Sequence, residues 1–252
     1  MLNRVLVVDN SNFDLSHYKA MTVFSQCGFE MTSHTFDPEK ACESAAKGEC
    51  DMLLCINRST AVIATDLLKR LAKAKLSTPV VIISQVNMSG DMRECFLLGA
   101  VDYLIEPAME EDIRGALTRT AKAISRNILT ARYDTVVRDA LSRIPHTKAN
   151  ESFLEKLRAL LNKTGGAAIT VESAADHFGF NPDYFGRYFK ARAGMPFTEF
   201  YKHLSMEYAS QLLASGHYKV KEVSELLGFA SADYFTSVFK RVTGKLPSQF
   251  KR

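Results

Sequence analysis

The 252-residue chain lacks several features that would assign it to a well-defined class of protein. No apolar run approaches the ~20 residues that are needed to span a bilayer. The six histidines are scattered without metal-ligand spacing, and no CxxC pair occurs among the five cysteines, which are Cys27, Cys42, Cys50, Cys55 and Cys95. We therefore expect no disulfide framework, no bound metal and no cofactor. Buried, reduced thiols are the favoured interpretation, and a redox sensor is the alternative.

The chain also lacks the residue sets of common enzymes. It contains no Ser/His/Asp set, metal cluster or phosphate-cradling glycine-rich loop. Its first four residues lead into an apolar run of only five residues that ends in a charge, so we expect no signal peptide. A hydrophobic content of 46% and a charged content of 24% are ordinary for a globular protein. These features predict a cytoplasmic protein that is not an enzyme and is long enough for two domains.

Charge is divided unevenly between the two halves. Residues 1–129 carry 14 Lys+Arg against 16 Asp+Glu, whereas residues 151–252 carry 14 against 10. A mildly basic C-terminal half suits a polyanionic partner. A solvated face of mixed charge would give the same excess, so the partner must be identified from other features.

The N-terminal half alternates short apolar runs with helical patterns. The apolar runs predict five buried strands, at residues 4–9, 30–35, 51–56, 80–84 and 102–105. Helices are predicted between them at residues 13–27, 38–47, 62–73 and 89–98, with another from residue 109 onward. This alternation predicts an α/β, doubly wound, five-stranded parallel sheet. The functional crevice of such a sheet lies at the carboxyl ends of its strands.

The residues at those strand ends resemble the receiver domain of two-component response regulators, over nearly all of residues 1–125. The resemblance implies an acidic pair that holds Mg²⁺ after the first strand and a phosphate-accepting aspartate after the third. It also implies Ser or Thr after the fourth strand and Lys-Pro after the fifth, with an aromatic residue three positions before the lysine. Asp9, Ser84 and Tyr103 match this pattern.

Three departures from the receiver pattern remove the chemistry of phosphoryl transfer. Asn10 replaces the second acid, Glu106 replaces the lysine, and Ile56 (or Cys55, should the register slip) stands at the acceptor position. Isoleucine is no nucleophile, a glutamate repels a phosphoryl group, and an amide attracts a hard cation less than a carboxylate does. We therefore predict a pseudo-receiver that is not phosphorylated on aspartate. Either the matching residues are remnants of the fold, or the emptied pocket and the surface around Tyr103 still serve dimerisation or a partner.

Residues 109–143 contain no strong helix breaker apart from Gly115, which predicts one long helix. A stripe recurs along it at roughly helical spacing: Ile113, Leu117, Ala121, Ile124, Ile128 and Ala131. One interpretation is the seam of a homodimer, and the other is that its first part packs on its own sheet. Pro145 and its polar neighbours mark a linker. The predicted domains are therefore residues 1–125, a helical linker at 126–150, and an all-α domain at 151–252.

The C-terminal half contains one pattern twice. Gly179-Phe180 matches Gly228-Phe229, and Asp183-Tyr184-Phe185 matches Asp233-Tyr234-Phe235. Each copy predicts a short amphipathic helix, a glycine turn and a second helix, the latter at residues 182–192 and 231–242. This is the helix-turn-helix arrangement, whose second helix can lie in a DNA major groove. A helical hairpin used only for packing is the alternative, and the repetition weighs against it.

The repeated arrangement resembles the AraC/XylS family of transcription regulators over residues 152–252. The resemblance rests on the stretch LLGFASADYFTSVFKRVTGKLPSQF at residues 226–250. The first copy departs from it at one position, because Pro196 lies two residues after Gly194 whereas Pro247 lies three after Gly244. The resemblance implies that the two second helices enter successive major-groove segments about 34 Å apart on one face of the DNA.

Matching positions to that family gives candidates for base contact. They are Asp183, Gly186 and Arg187 in the first copy and Ala232, Asp233, Thr236 and Ser237 in the second. Arg187 is the strongest candidate, because a guanidinium can pair with guanine O6 and N7. The recurring aspartates either accept a hydrogen bond from cytosine or cap their helices, and capping is the favoured interpretation.

A second group is expected to contact phosphates or to be ordinary solvated cations: Lys190, Lys219, Lys221, Lys240, Arg241 and Lys245. Helical spacing assigns a third group to the core: Tyr184, Phe185, Phe189, Tyr234, Phe235 and Phe239.

These patterns together predict a sequence-specific transcription regulator of response-regulator type that binds double-stranded DNA and is independent of phosphorylation. The alternative is an interaction or sensor protein whose pseudo-receiver docks a partner or a small ligand, with DNA binding secondary.

Overall fold

The computed structural model describes residues 2–9, 16–58, 63–85 and 89–250. The chain divides into two compact units, Met1–Ile128 and Leu129–Arg252. Among the described residues, no helix combines the length and the apolar character that a membrane crossing requires.

The N-terminal unit is built on a five-stranded sheet in which every neighbouring pair of strands is parallel. Its strands are β1 Asn3–Asp9, β2 Phe29–Thr35, β3 Met52–Asn57, β4 Val80–Ser84 and β5 Asp102–Ile105. Their spatial order is β2-β1-β3-β4-β5. This order is one of the two common doubly wound arrangements, so the predicted fold class of this half is confirmed.

Six helices of the described chain begin in this unit: α1 Ser16–Ala20, α2 Val23–Gln26, α3 Pro38–Ala46, α4 Ile63–Lys73, α5 Ser89–Leu97 and α6 Glu110–Ser142. The single helix predicted over residues 13–27 is wrong in its described part, because α1 and α2 are separate. The backbone N–H of Met21 bonds to the carbonyl of Tyr18, three residues back, which closes α1 with a tight turn. Thr22 then precedes a new helix, and its carbonyl accepts from the N–H of Gln26.

Successive side chains of each strand point to opposite faces of the sheet, so apolar side chains are buried on both faces. Val5 and Val7 lie in one core cluster with Ile56, whereas Leu6 and Val8 lie in the other. Helices cover both clusters, as expected for a parallel sheet whose two faces are buried. The carboxyl ends of β1, β3, β4 and β5 are thereby brought to one edge.

The first part of α6 packs on the sheet. Ile113 and Leu117 are buried in the first core cluster, and Ala121 and Ile124 pack against it. The interpretation of the whole stripe as a dimer seam is therefore wrong for these four residues, because the apolar face of the sheet needs cover. Ile128 is 45% exposed, which leaves only the end of the predicted stripe on the surface. The homodimer itself stays a prediction.

The second unit is all-α. Beyond the end of α6 it contains a short 3-10 helix at Lys148–Asn150 and six α-helices in its described part: α7 Glu151–Thr164, α8 Val171–Phe178, α9 Pro182–Ala193, α10 Phe197–Ala214, α11 Val220–Leu226 and α12 Ala232–Thr243. A second 3-10 helix, Pro247–Phe250, follows α12. The two predicted second helices, at residues 182–192 and 231–242, are confirmed as α9 and α12 within one residue at each end.

The last turns of α6 belong to the core of this second unit. Tyr133, Val136 and Leu141 are at most 3% exposed and share a cluster with the phenylalanines of the repeated helices. Polar contacts hold the same segment along α10, because the Tyr208 hydroxyl donates to the Leu129 carbonyl at 3.2 Å. Residues 129–144 are thus structural parts of the all-α unit.

Truncating Leu141 to Ala should destabilise the second unit by about 2–5 kcal/mol, because it removes a buried side chain from a packed core. Urea unfolding of the full chain measures this. The control is Arg138→Ala, an exposed position three residues earlier on the same helix, which should change the free energy of unfolding by less than about 0.5 kcal/mol. Equal, small effects of both changes would mean that this segment is a solvated linker.

Candidate nucleic-acid interface and receiver-type pocket

Each repeated unit turns at a glycine and starts its second helix at a capped residue. Gly179 and Gly228 both have φ of 75°, a left-handed conformation that glycine adopts without steric cost. Asn181 then caps α9, and its side chain accepts from the N–H of Tyr184 at 2.8 Å. Ser231 caps α12 in the same way at 3.2 Å. The matching positions of the two units therefore adopt matching local structure.

The interpretation of Asp183 and Asp233 as caps is wrong. The caps are the residues two positions earlier, and both aspartates lie in the first helical turn. A carboxylate there still interacts favourably with the positive end of the helix dipole, by about 0.3–1 kcal/mol. Both aspartates remain exposed.

The buried faces of α9 and α12 fix which side chains point outward. Phe185 and Phe189 in α9, and Phe235 and Phe239 in α12, are fully buried. With 100° per residue, the opposite face carries positions i, i+4 and i+7 counted from the first-turn aspartate. These outward side chains are all exposed: Asp183, Arg187 and Lys190 in α9, and Asp233, Ser237 and Lys240 in α12.

The two outward faces differ in chemistry. Gly186 is half-buried, and a Cβ added there would meet no atom within 4 Å, so the position is open. The matching Thr236 donates its hydroxyl to the Ala232 carbonyl at 2.8 Å, and Ser237 donates to the Asp233 carbonyl at 3.0 Å. Because both hydroxyls donate within the helix, each presents acceptor lone pairs outward. The first unit thus offers a guanidinium beside an open position, and the second offers two acceptors.

The assignment of Tyr184 and Tyr234 to the core is wrong, since they are 46% and 60% exposed. Adjacent residues on a helix point 100° apart, so the tyrosine and phenylalanine of Asp-Tyr-Phe cannot share one face. Each tyrosine instead lies beside the phenylalanine in the loop that precedes its helix. The ring centroids are 4.8 Å apart for Tyr184 and Phe180, and 5.9 Å apart for Tyr234 and Phe229.

The six basic side chains predicted to meet phosphates are all exposed. Lys221 lies 3.9 Å from Glu225 across one helical turn, a pair too exposed to hold it firmly. Lys219 lies at the start of α11, where its N–H donates to Glu222 at 2.7 Å. Arg192 of α9 was not among these six candidates. Its guanidinium stacks 3.7 Å from the centre of the half-buried Tyr188 ring.

The receiver-type pocket lies at the carboxyl edge of the sheet. Asp9 pairs with Ile56 in the β1–β3 ladder, and both side chains are fully buried. Ser84 is also buried, and it hydrogen-bonds Tyr103, whose pKa is raised by burial in spite of that bond. Asn10 lies outside the described residues. Ile56, which stands where the resemblance implies the acceptor, is buried within an apolar cluster.

Glu106 is held by a cation that the sequence patterns did not single out. Arg58 contacts it through two nitrogens, with Nη2 at 2.5 Å and Nε at 3.0 Å from its carboxylate oxygens. The two side chains are 8% and 10% exposed. The Tyr18 hydroxyl also donates to Glu106. The available signal in the sequence was that Arg58 follows the third predicted strand and Glu106 follows the fifth, at the same edge of the sheet.

Together Tyr18, Arg58 and Glu106 line a cavity of about 520 Å³, with Gln85, Pro107 and Ala108. Burial raises the pKa of Glu106, but hydrogen bonds from Arg58 and Tyr18 outweigh it, and the pKa is lowered below its ordinary 4.5. The carboxylate is therefore charged and paired at neutral pH.

Of the acids that the receiver pattern would bring to a Mg²⁺ ion, Asp9 is the one described here. Among the described side chains, no cluster of three or more His, Cys, Asp or Glu could hold a metal. This donor set does not fit the cation.

Comparison with known proteins matches residues 174–252 to the family model described as "Helix-turn-helix domain". The C-terminal unit carries an AraC-type helix-turn-helix domain. All base-contact and phosphate-contact candidates lie within the matched residues.

Relatives of the AraC-type domain are named as transcription regulators. YijO of Escherichia coli, an uncharacterized HTH-type transcriptional regulator, is 28% identical over 151 residues, which is 60% of this chain and 52% of YijO. YesN of Bacillus subtilis, an uncharacterized transcriptional regulatory protein, is 33% identical over 99 residues, which is 38% of this chain and 27% of YesN. The chain therefore spans about half or less of the length of these relatives.

One of the solved structures that the chain resembles is a receiver domain. The signal receiver domain of a modulated diguanylate cyclase from Desulfovibrio desulfuricans G20 is 17% identical, with a TM-score of 0.41. The alignment covers 49% of this chain and 97% of that one.

Glu106→Gln should destabilise the N-terminal unit by about 3 kcal/mol near neutral pH, because it leaves the Arg58 charge buried without its partner. The pKa of Glu106 is lowered on folding, so its contribution is present above the ordinary value of 4.5 and is lost as pH falls through the folded value. The difference in stability between the wild type and the variant should therefore shrink as pH falls below 4.5. Urea unfolding of the full chain across pH measures this.

The control for that variant is Glu110→Gln, in the exposed pair with Arg114. It should change the free energy of unfolding by less than about 1 kcal/mol at any pH. If Glu106→Gln matched the control near neutral pH, the buried pair would contribute nothing to the fold.

Proposed function

We propose that this protein is a sequence-specific DNA-binding transcription regulator of AraC and response-regulator type. The observation that carries the proposal is the pair of recognition helices, α9 and α12, which share caps, length and buried face. Each exposes a polar stripe, and a helix of this kind fits the major groove. The family match over residues 174–252 and the names of the relatives support the same function.

The two helices read different bases in this proposal. Arg187 of α9 donates to guanine O6 and N7, because its guanidinium is exposed and beside the open position at Gly186. The hydroxyls of Thr236 and Ser237 accept from base amines in the second groove segment. Since the stripes are not alike, one molecule recognises an asymmetric site and needs no palindrome.

Arg187→Ala should relax base preference at one or two positions and cost about 1–3 kcal/mol at the preferred site. The measurement is selection from a random duplex library, followed by binding titrations at several salt concentrations. The matched comparison is Lys190→Ala, one turn further along the same stripe. Loss of this phosphate contact should weaken binding to all duplexes alike and reduce the salt slope by about one. An unchanged base preference for Arg187→Ala would refute the reading role of Arg187.

We also propose that the N-terminal unit controls DNA binding without being phosphorylated on aspartate. The support is chemical. Ile56 is fully buried and cannot attack phosphorus, and the Glu106 carboxylate occupies the position where the resemblance implies a phosphate-binding lysine. Arg58 already binds Glu106 through Nε and Nη2, which form one edge of its guanidinium. Control of the two reading helices then acts through contacts made by this unit.

Incubation with acetyl phosphate and Mg²⁺ should leave the intact mass unchanged. A receiver domain that has its acceptor aspartate serves as the positive control in the same assay. A stable gain of about 80 Da, the mass of one phosphoryl group, would overturn the proposal. Mapping that adduct to an aspartate would then identify an acceptor other than the position of Ile56.

A further inference from the structure

We propose that Tyr184 and Tyr234 form a matched pair of phosphate contacts. Each phenol hydroxyl donates a hydrogen bond to a DNA backbone phosphate at the wall of the groove that its helix reads. This inference rests on the proposed function and adds to it a contact that charge alone does not supply.

The first support is exposure without a packing reason. The two tyrosines are 46% and 60% exposed, whereas the phenylalanine that follows each of them is fully buried. The core is thus filled by the phenylalanines, and each tyrosine ring keeps a ring contact at the surface, with Phe180 and Tyr188 for Tyr184 and with Phe229 for Tyr234. That contact holds the ring in a fixed direction and leaves the hydroxyl free to meet a partner.

The second support is position on the helix. Each tyrosine follows the first-turn aspartate of the outward stripe and so points about 100° away from that stripe. When the stripe faces the base edges, this flank faces one strand of the backbone that borders the groove. In α12 the same flank carries Arg241, seven residues after Tyr234, which is exposed and suited to the same backbone.

The third support is the contrast between matching and differing positions. The side chains placed to read bases differ between the units, with Arg187 against Ser237 and Gly186 against Thr236. The exposed tyrosine is identical in both units although packing does not require it. A phosphate is the same in every sequence, whereas bases differ, so an identical contact in two unlike reading heads fits the backbone.

Tyr184→Phe and Tyr234→Phe test this, because phenylalanine keeps the ring packing and removes only the hydroxyl. With a duplex selected from a random library by the wild type, each change should weaken binding about tenfold, and both together about a hundredfold. The loss should be equal on unrelated duplexes. The dependence on salt should keep its slope, because a neutral hydroxyl releases no counterion.

Two controls separate a contact from a disturbed fold. Circular dichroism and thermal melting should be unchanged in both variants. Tyr201→Phe removes a hydroxyl that donates to the Ala167 carbonyl at 2.5 Å within the domain, and it should leave DNA affinity within about twofold.

Neutral methylphosphonate groups placed one at a time along the selected duplex locate the partner. At one position per tyrosine, the substitution should weaken the wild type but not the matching Phe variant. Unchanged affinity of both Phe variants, or a changed base preference, would overturn this inference while leaving the proposed function intact. Failure of the wild type to enrich any duplex would overturn the proposed function, and this inference with it.

Discussion

The burial of two phenylalanines one turn apart fixes the rotation of each recognition helix. Phe185 and Phe189 pack on Phe197 with ring centroids 5.4 and 5.2 Å away, and Phe235 and Phe239 lie 5.5 Å apart in the second unit. Burying one such side chain contributes about 1.5–3 kcal/mol, so rotating the helix to present another face would be costly. Every outward position follows from this constraint. The polar stripe, the flanking tyrosines and the basic end of each helix are all oriented by it.

In the N-terminal unit the carboxyl edge of the sheet differs in its charges from what the resemblance to receiver domains implies. The position expected to carry the acceptor acid is the buried Ile56, and the position expected to carry the cation is Glu106. A cation is present nonetheless, because Arg58 supplies it and binds Glu106 directly. Removing one partner from a buried pair of opposite charges strongly destabilises the fold, because the remaining charge is then buried without compensation. This edge of the sheet therefore carries a buried ion pair between Arg58 and Glu106.

The sequence predicted much of this because its periodic patterns report on single elements. Alternating strands and helices predicted the sheet, and the repeat predicted the two helix-turn-helix units. The resemblance to the AraC/XylS family supplied Arg187 and the other candidates for base contact. The capping assignment failed by two residues, since Asn181 and Ser231 reach the free N–H groups that the first-turn aspartates do not. The assignment of Tyr184 and Tyr234 to the core failed because each tyrosine was placed on the same helix face as the phenylalanine that follows it.

What the amino-acid sequence determined by itself is the kind of each element and the face that it buries, since both depend on spacings of two to four residues. Only the tertiary structure decided which distant residues meet. It joined Arg58 to Glu106 across 48 positions and seated residues 129–144 in the core of the all-α unit. Such partnerships depend on how whole elements pack, and no local spacing encodes them.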